Sequence, residues 1–134
     1  MRNVTLAMTL ALALLPFSVD ARNSQFQDPV VVRLSGRLTQ ADVQKVVREA
    51  LEARSWQVRE VGNGAVEALQ VKKGYDARIR VTSEPAQIVI QYVDSHGMDY
   101  ERKGQAQYIN PHYMKWIDFL VKDFSTKAQG AAFK

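Results

Sequence analysis

The sequence predicts an α+β domain: a two-layer sandwich whose mostly antiparallel sheet of about four strands is covered on one face by two helices. Three observations carry that prediction. Two segments repeat apolar residues at helical spacing. Between them runs a series of short alternating segments. Glycine-bearing turns separate those segments, so they fold back on one another. The element order reads β-α-β-β-β-β-α, and the last strand is the least defined.

Val30 to Leu34 is apolar and β-branched, a short strand, and Gly36 turns the chain after it. Thr39 opens the first helix with Asp42 three residues on, the pattern of a capping box. Val43, Val46, Val47, Ala50 and Leu51 then line one face of a helix that ends near Arg54. From Trp56 to Val61 the chain alternates, with Trp56 and Val58 inward and Gln57 and Arg59 outward. Gly62-Asn63-Gly64 reads as a hairpin turn, because these residues accept positive φ cheaply. Ala65 to Lys72 returns, with Leu69 and Val71 expected inward. After Gly74, Tyr75, Ala77, Ile79 and Val81 alternate with Asp76, Arg78 and Arg80. Glu84-Pro85 turns the chain again, and Ile88, Ile90 and Tyr92 share a face of the next strand. His96 to Gln107 is polar and reads as a loop or a ragged edge strand. Pro111 suits a helix start, where its missing N–H costs nothing. Tyr113, Trp116, Ile117, Leu120, Val121 and Phe124 follow as an apolar stripe.

The N-terminal stretch reads as a targeting segment. Arg2 is followed by an apolar run from Val4 to Leu15, then Pro16, then Val19-Asp20-Ala21 with acceptable residues for a signal peptidase. The run is shorter than the ~20 residues that span a bilayer. The expected organisation is a signal peptide over 1–21 cleaved after Ala21, a flexible leader over 22–28, a single domain over 29–125 and a frayed tail over 126–134. The predicted location is the periplasm or the exterior, with no membrane span. The chain holds no cysteine, so it has no disulfide, thiolate metal site or thiol nucleophile. Loss of Arg2 with Asp20 keeps the net charge at +4. Export makes nucleic acid an unsuitable partner for that charge. Envelope polymers, anionic head groups and acidic proteins are the accessible ones.

No segment carries a strong catalytic motif. Asp94, Ser95 and His96 are consecutive, and consecutive residues on an extended chain point in alternating directions, so they do not form a triad. His96 and His112 are too far apart to make a helical metal-binding pair. Gly62 and Gly64 imitate a dinucleotide loop, but a strand follows them where a helix is required. The sequence therefore points to no cofactor, metal ligand or catalytic residue. The distinctive feature is aromatic. Tyr92, Tyr100, Tyr108 and Tyr113 gather with Trp116 in the C-terminal third. Such rings stack on ligands or close the rim of a core.

The run Glu49 to Val58 resembles the helix-to-strand junction of a group of small uncharacterised exported proteins and lipoproteins of Gram-negative bacteria. Tyr92-Val93-Asp94-Ser95 followed by Tyr100 is similar too, as is Tyr113 with Trp116 at the start of the last helix. The resemblance covers about Thr39 to Phe124 and implies an α+β fold in the envelope, with no assigned activity. The lipoproteins of that group carry a lipidated cysteine, which this chain lacks, so membrane anchoring is not carried over.

The function expected from these observations is a non-enzymatic binding or envelope-associated module. Its partner would be an envelope protein, a glycan or a small ligand. The expected contact residues are Tyr92, Asp94, Ser95, Tyr100, Tyr113 and Trp116, because loops on a rigid sheet commonly carry function. The alternative is an acid–base hydrolase using Asp94, Asp99, Glu101 and His96.

Overall fold

A computed structural model describes residues 24–133, so the expected targeting segment lies outside the described residues. In chain order the elements are β1 (Ser24–Gln25), β2 (Val30–Arg33), α1 (Gln40–Ala53), β3 (Gln57–Gly62), β4 (Ala65–Lys72), β5 (Tyr75–Glu84), β6 (Gln87–His96), β7 (Glu101–Lys103), β8 (Ala106–Ile109) and α2 (Pro111–Phe133). Five strands form one antiparallel sheet in the order β2-β6-β5-β4-β3. Both helices pack on the same face of it, giving the expected two-layer α+β architecture. A smaller sheet, β1-β8-β7, lies beside it.

Local chemistry places these elements. Thr39 Oγ1 accepts from the Asp42 N–H at 3.1 Å, and the Asp42 carboxylate accepts from the Thr39 N–H at 3.3 Å. That reciprocal pair starts α1 as expected. Arg54 N–H and Trp56 N–H both close on the Leu51 carbonyl, which ends the helix and turns Trp56 inward. Gly62, Asn63 and Gly64 all take positive φ, so the tight β3–β4 hairpin depends on residues that tolerate it. At the start of α2, Asn110 Oδ1 accepts from the His112 N–H at 2.9 Å, with Pro111 between them.

The covered face of the sheet joins the helices in one core. It includes Val66 and Ala68 of β4, Ala77, Ile79 and Val81 of β5, and Ile88 and Ile90 of β6. From the helices come Val43, Val47, Ala50 and Leu51, and Tyr113, Ile117, Leu120 and Phe124. The open face carries Gln57, Arg59, Asp76, Arg78, Arg80, Val89 and Gln91, as the alternation predicted.

Three expectations are corrected. Leu69 and Val71 lie on the open face, because their partners across the ladder are Arg78 and Asp76. The inward residue between them is Gln70, only 4% exposed, whose Nε2 donates to the Arg54 carbonyl at 2.9 Å. A buried amide is acceptable there because the end of α1 supplies the acceptor it needs. The leader is structured from Ser24: β1 pairs with β8, and Phe26 is buried among aromatic rings. The tail is helical to Phe133, with Ala128 buried and Ala131 and Ala132 against the core. Small side chains continue the core stripe there without the large residues that make such a stripe conspicuous. The polar segment after His96 forms the β7–β8 hairpin, one of the two forms expected of it.

Candidate functional site

The β6 strand contains the feature that organises the site. Ile79 pairs with Tyr92 while Arg78 pairs with Asp94, leaving Val93 as an extra residue. This bulge changes the alternation, so Tyr92 and Ser95 come to the same covered face. Their hydroxyls meet at 2.7 Å. Asp94 and His96 go to the open face.

Tyr92 is the centre of the first aromatic cluster. Phe26 meets it edge-on at 5.0 Å between ring centroids, Tyr113 meets it edge-on at 5.5 Å, and Tyr100 stacks on it at 5.2 Å. Tyr113 is buried, whereas Tyr100 is 39% exposed. Asp28 lies beside the cluster and accepts from the Tyr92 N–H at 2.7 Å, taking the place of a ladder acceptor just before β2 begins. Burial pushes the Asp28 carboxyl above its usual range, and the Tyr92 N–H works against that shift. Burial also raises the Tyr92 hydroxyl, opposed by the bond to Ser95. Burial raises the Tyr113 hydroxyl furthest, with the nearby Asp28 charge adding to it, so it stays protonated at neutral pH.

A second cluster stands where the β4–β5 turn meets α2. Tyr75 stacks on Trp116 at 5.7 Å, Trp56 meets Trp116 edge-on at 6.0 Å, and His112 tilts against Tyr75 at 5.5 Å. Beside it lies a cleft of about 160 Å³ lined by Arg54, Trp56, Gln70, Lys72, Trp116 and Phe119. Arg54 donates from Nε to Asp123 at 2.7 Å and lies over the Phe119 ring at 4.5 Å from its centroid.

The open face of the sheet is ionic. Glu67 accepts from Arg59 and from Arg80, and the two guanidinium groups hold its carboxyl below the usual range. Arg78 stands 3.7 Å from Asp94, and His96 Nδ1 stands 3.0 Å from Asp76. A shallow groove of about 240 Å³ runs across β3, β4 and β5, with Leu69, Arg59 and Arg78 in its lining.

The six expected contact residues therefore divide among three places. Tyr92, Ser95, Tyr100 and Tyr113 belong to the first cluster, Trp116 to the second, and Asp94 to the open face. Tyr113 is a core residue there, walled in by Phe26 and Tyr92, and offers no contact surface. The four acid–base candidates do not converge either. Asp94 faces Arg78, His96 faces Asp76, Glu101 lies 3.7 Å from Lys103, and Asp99 sits in the connection between β6 and β7 with φ of 53°. Among the described residues, no three His, Asp or Glu side chains gather where they could hold a metal ion. No helix among them is long and apolar enough to cross a membrane.

The sequence reading missed Arg54, Gln70, Lys72, Tyr75 and Phe119. A signal for part of this group existed. His112, Trp116, Phe119 and Asp123 form a second stripe on α2, each one residue before Tyr113, Ile117, Leu120 and Phe124 of the core stripe. No family model, curated protein or solved structure matches the chain.

Proposed function

We propose that the chain is a non-enzymatic binding module of the cell envelope, exported by the segment before Arg22 and engaging its partner through the aromatic rim at Tyr92 and Tyr100. One observation carries this reading: Tyr100 is held in a stack on Tyr92 while 39% of its surface stays open to solvent. Phe26 braces both rings from behind, at 5.0 Å from Tyr92 and 5.3 Å from Tyr100. A ring fixed before binding loses little freedom on contact, which is what makes tyrosine an effective anchor. Arg102 and Lys103 on the adjoining β7 strand supply a charged margin. Location in the envelope is supported by Arg2, the apolar run Val4 to Leu15 and the Val19-Asp20-Ala21 site. Acid–base hydrolysis draws no support from the geometry, because Asp94, His96, Asp99 and Glu101 do not line the clefts described above.

The test is a pull-down from envelope extract with the wild-type protein, Tyr100→Ala and Asp94→Ala. Tyr100→Ala should lose the partner retained by the wild type, with an unchanged circular dichroism spectrum. A partner set identical in all three folded proteins would refute this contact surface.

A further inference from the structure

The second aromatic cluster lies apart from the Tyr100 rim and has its own chemistry. Its cleft joins the half-buried Trp116 ring and the 39%-exposed Phe119 ring to a cation, Lys72. Arg54, at the same cleft, has its charge engaged by Asp123 and by the face of Phe119. Lys72 has no ion-pair partner among the described residues. Neither has Lys73, the next residue in the β4–β5 turn, nor Lys115, which precedes Trp116 on α2. Lys72 thus brings an unneutralised ammonium group to a wall of fixed rings, and Lys73 and Lys115 each adjoin a lining residue in the chain.

We propose that this cleft binds one sugar ring of an acidic polysaccharide, a glycan chain carrying carboxylates. The rings offer a flat apolar surface to the face of a sugar, and the lysines offer charge to its carboxylates. At about 160 Å³ the cleft is smaller than the roughly 300–1,000 Å³ of a drug-sized pocket, so one ring enters and the chain continues along the surface. A phosphate polymer or an anionic head group would satisfy the lysines and leave the rings unused. The proposal rests on residues other than Tyr100, so it stands or falls separately from the reading above.

The molecule carries its own reporter, because both of its tryptophans line this cleft. The purified protein is titrated at low ionic strength with a short oligogalacturonate and with a maltooligosaccharide of equal length, reading tryptophan emission. The uronate should change the emission saturably, and the neutral sugar should bind at least about tenfold more weakly, a free-energy difference near 1.4 kcal/mol. Lys72→Gln, a change at an exposed position, should weaken uronate binding roughly two- to fivefold and flatten its salt dependence. Trp116→Ala should weaken it about tenfold or more, as loss of a tryptophan anchor does. Tyr100→Ala should leave it unchanged. An absent response to the uronate would overturn the proposal. So would an equal response to the neutral sugar, to inorganic polyphosphate or to vesicles of anionic lipid, or a Lys72→Gln protein that binds like the wild type.

Discussion

Three phenylalanines on α2 give a graded test of the architecture. Phe124 is 0% exposed, Phe119 is 39% exposed and Phe133 is 93% exposed. All three sit on one helix, Phe119 beneath Arg54 and Phe133 at the last residue, and burial is the largest difference among them. Phe124→Ala removes a ring enclosed by the core and leaves a cavity. Its expected cost is about 3–5 kcal/mol, transfer and cavity terms together. Phe119→Ala gives up part of a transfer term worth roughly 1.5–3 kcal/mol and opens no closed void, so about 1–2 kcal/mol is expected. Phe133→Ala should stay within about 0.5 kcal/mol. The assay is urea unfolding followed by far-ultraviolet circular dichroism, with the slope checked for constancy. At a slope of about 1.5 kcal/mol/M, the Phe124→Ala midpoint should fall by roughly 2–3 M. That loss is a large part of the ~5–15 kcal/mol that holds a domain together. Equal midpoints for Phe124→Ala and Phe119→Ala would mean that α2 does not present the Phe124 stripe to the sheet, and the two-layer arrangement would be refuted.

Other outcomes follow from particular contacts. Glu67 has a folded-state pKa below its ordinary 4.5, so its contribution to stability is present above that value and lost as pH falls through the folded pKa. Glu67→Gln should therefore unfold at lower urea than the wild type at neutral pH, and the gap should close in acid; a gap independent of pH would contradict the Arg59–Glu67–Arg80 assignment. Gly97→Ala should destabilise far more than Gly36→Ala. Both glycines have positive φ, but a Cβ at Gly97 would press on the Gly74 carbonyl while the space at Gly36 is open, and comparing their melting temperatures checks this. Gln70→Ala strips the Arg54 carbonyl of its donor and should cost about 1–3 kcal/mol by the same urea assay. A neutral result would show that water replaces the amide.

What could be seen in the sequence depended on how much each pattern constrained the chain. The α1 stripe and the Thr39–Asp42 cap were legible because a single face and a single start satisfied them. The β4 strand was not, because Ala65, Val66, Ala68, Leu69 and Val71 put apolar residues in both phases. The larger Leu69 and Val71 drew the reading to the wrong face. The packing chose Val66 and Ala68, with Gln70 turned to the end of α1. Phe26 stood alone in a polar stretch, and its burial depends on Tyr92, Tyr100 and Tyr113, which come from distant parts of the chain. The Tyr92–Tyr100 pair was legible as a concentration of tyrosine. The cleft at Trp116 was not, because Arg54, Lys72 and Phe119 come from three separate elements and meet only in the folded chain.

The additional residue in β6 lets one strand serve two surfaces. Were Val93 paired into the ladder opposite Arg78 instead of bulging from it, the positions after it would exchange sides. Asp94 would be driven beneath the tyrosines, Ser95 would be stranded among the arginines, and His96 would leave Asp76. Taking that single residue into the pairing would leave the composition of the strand unchanged and turn its chemistry inside out.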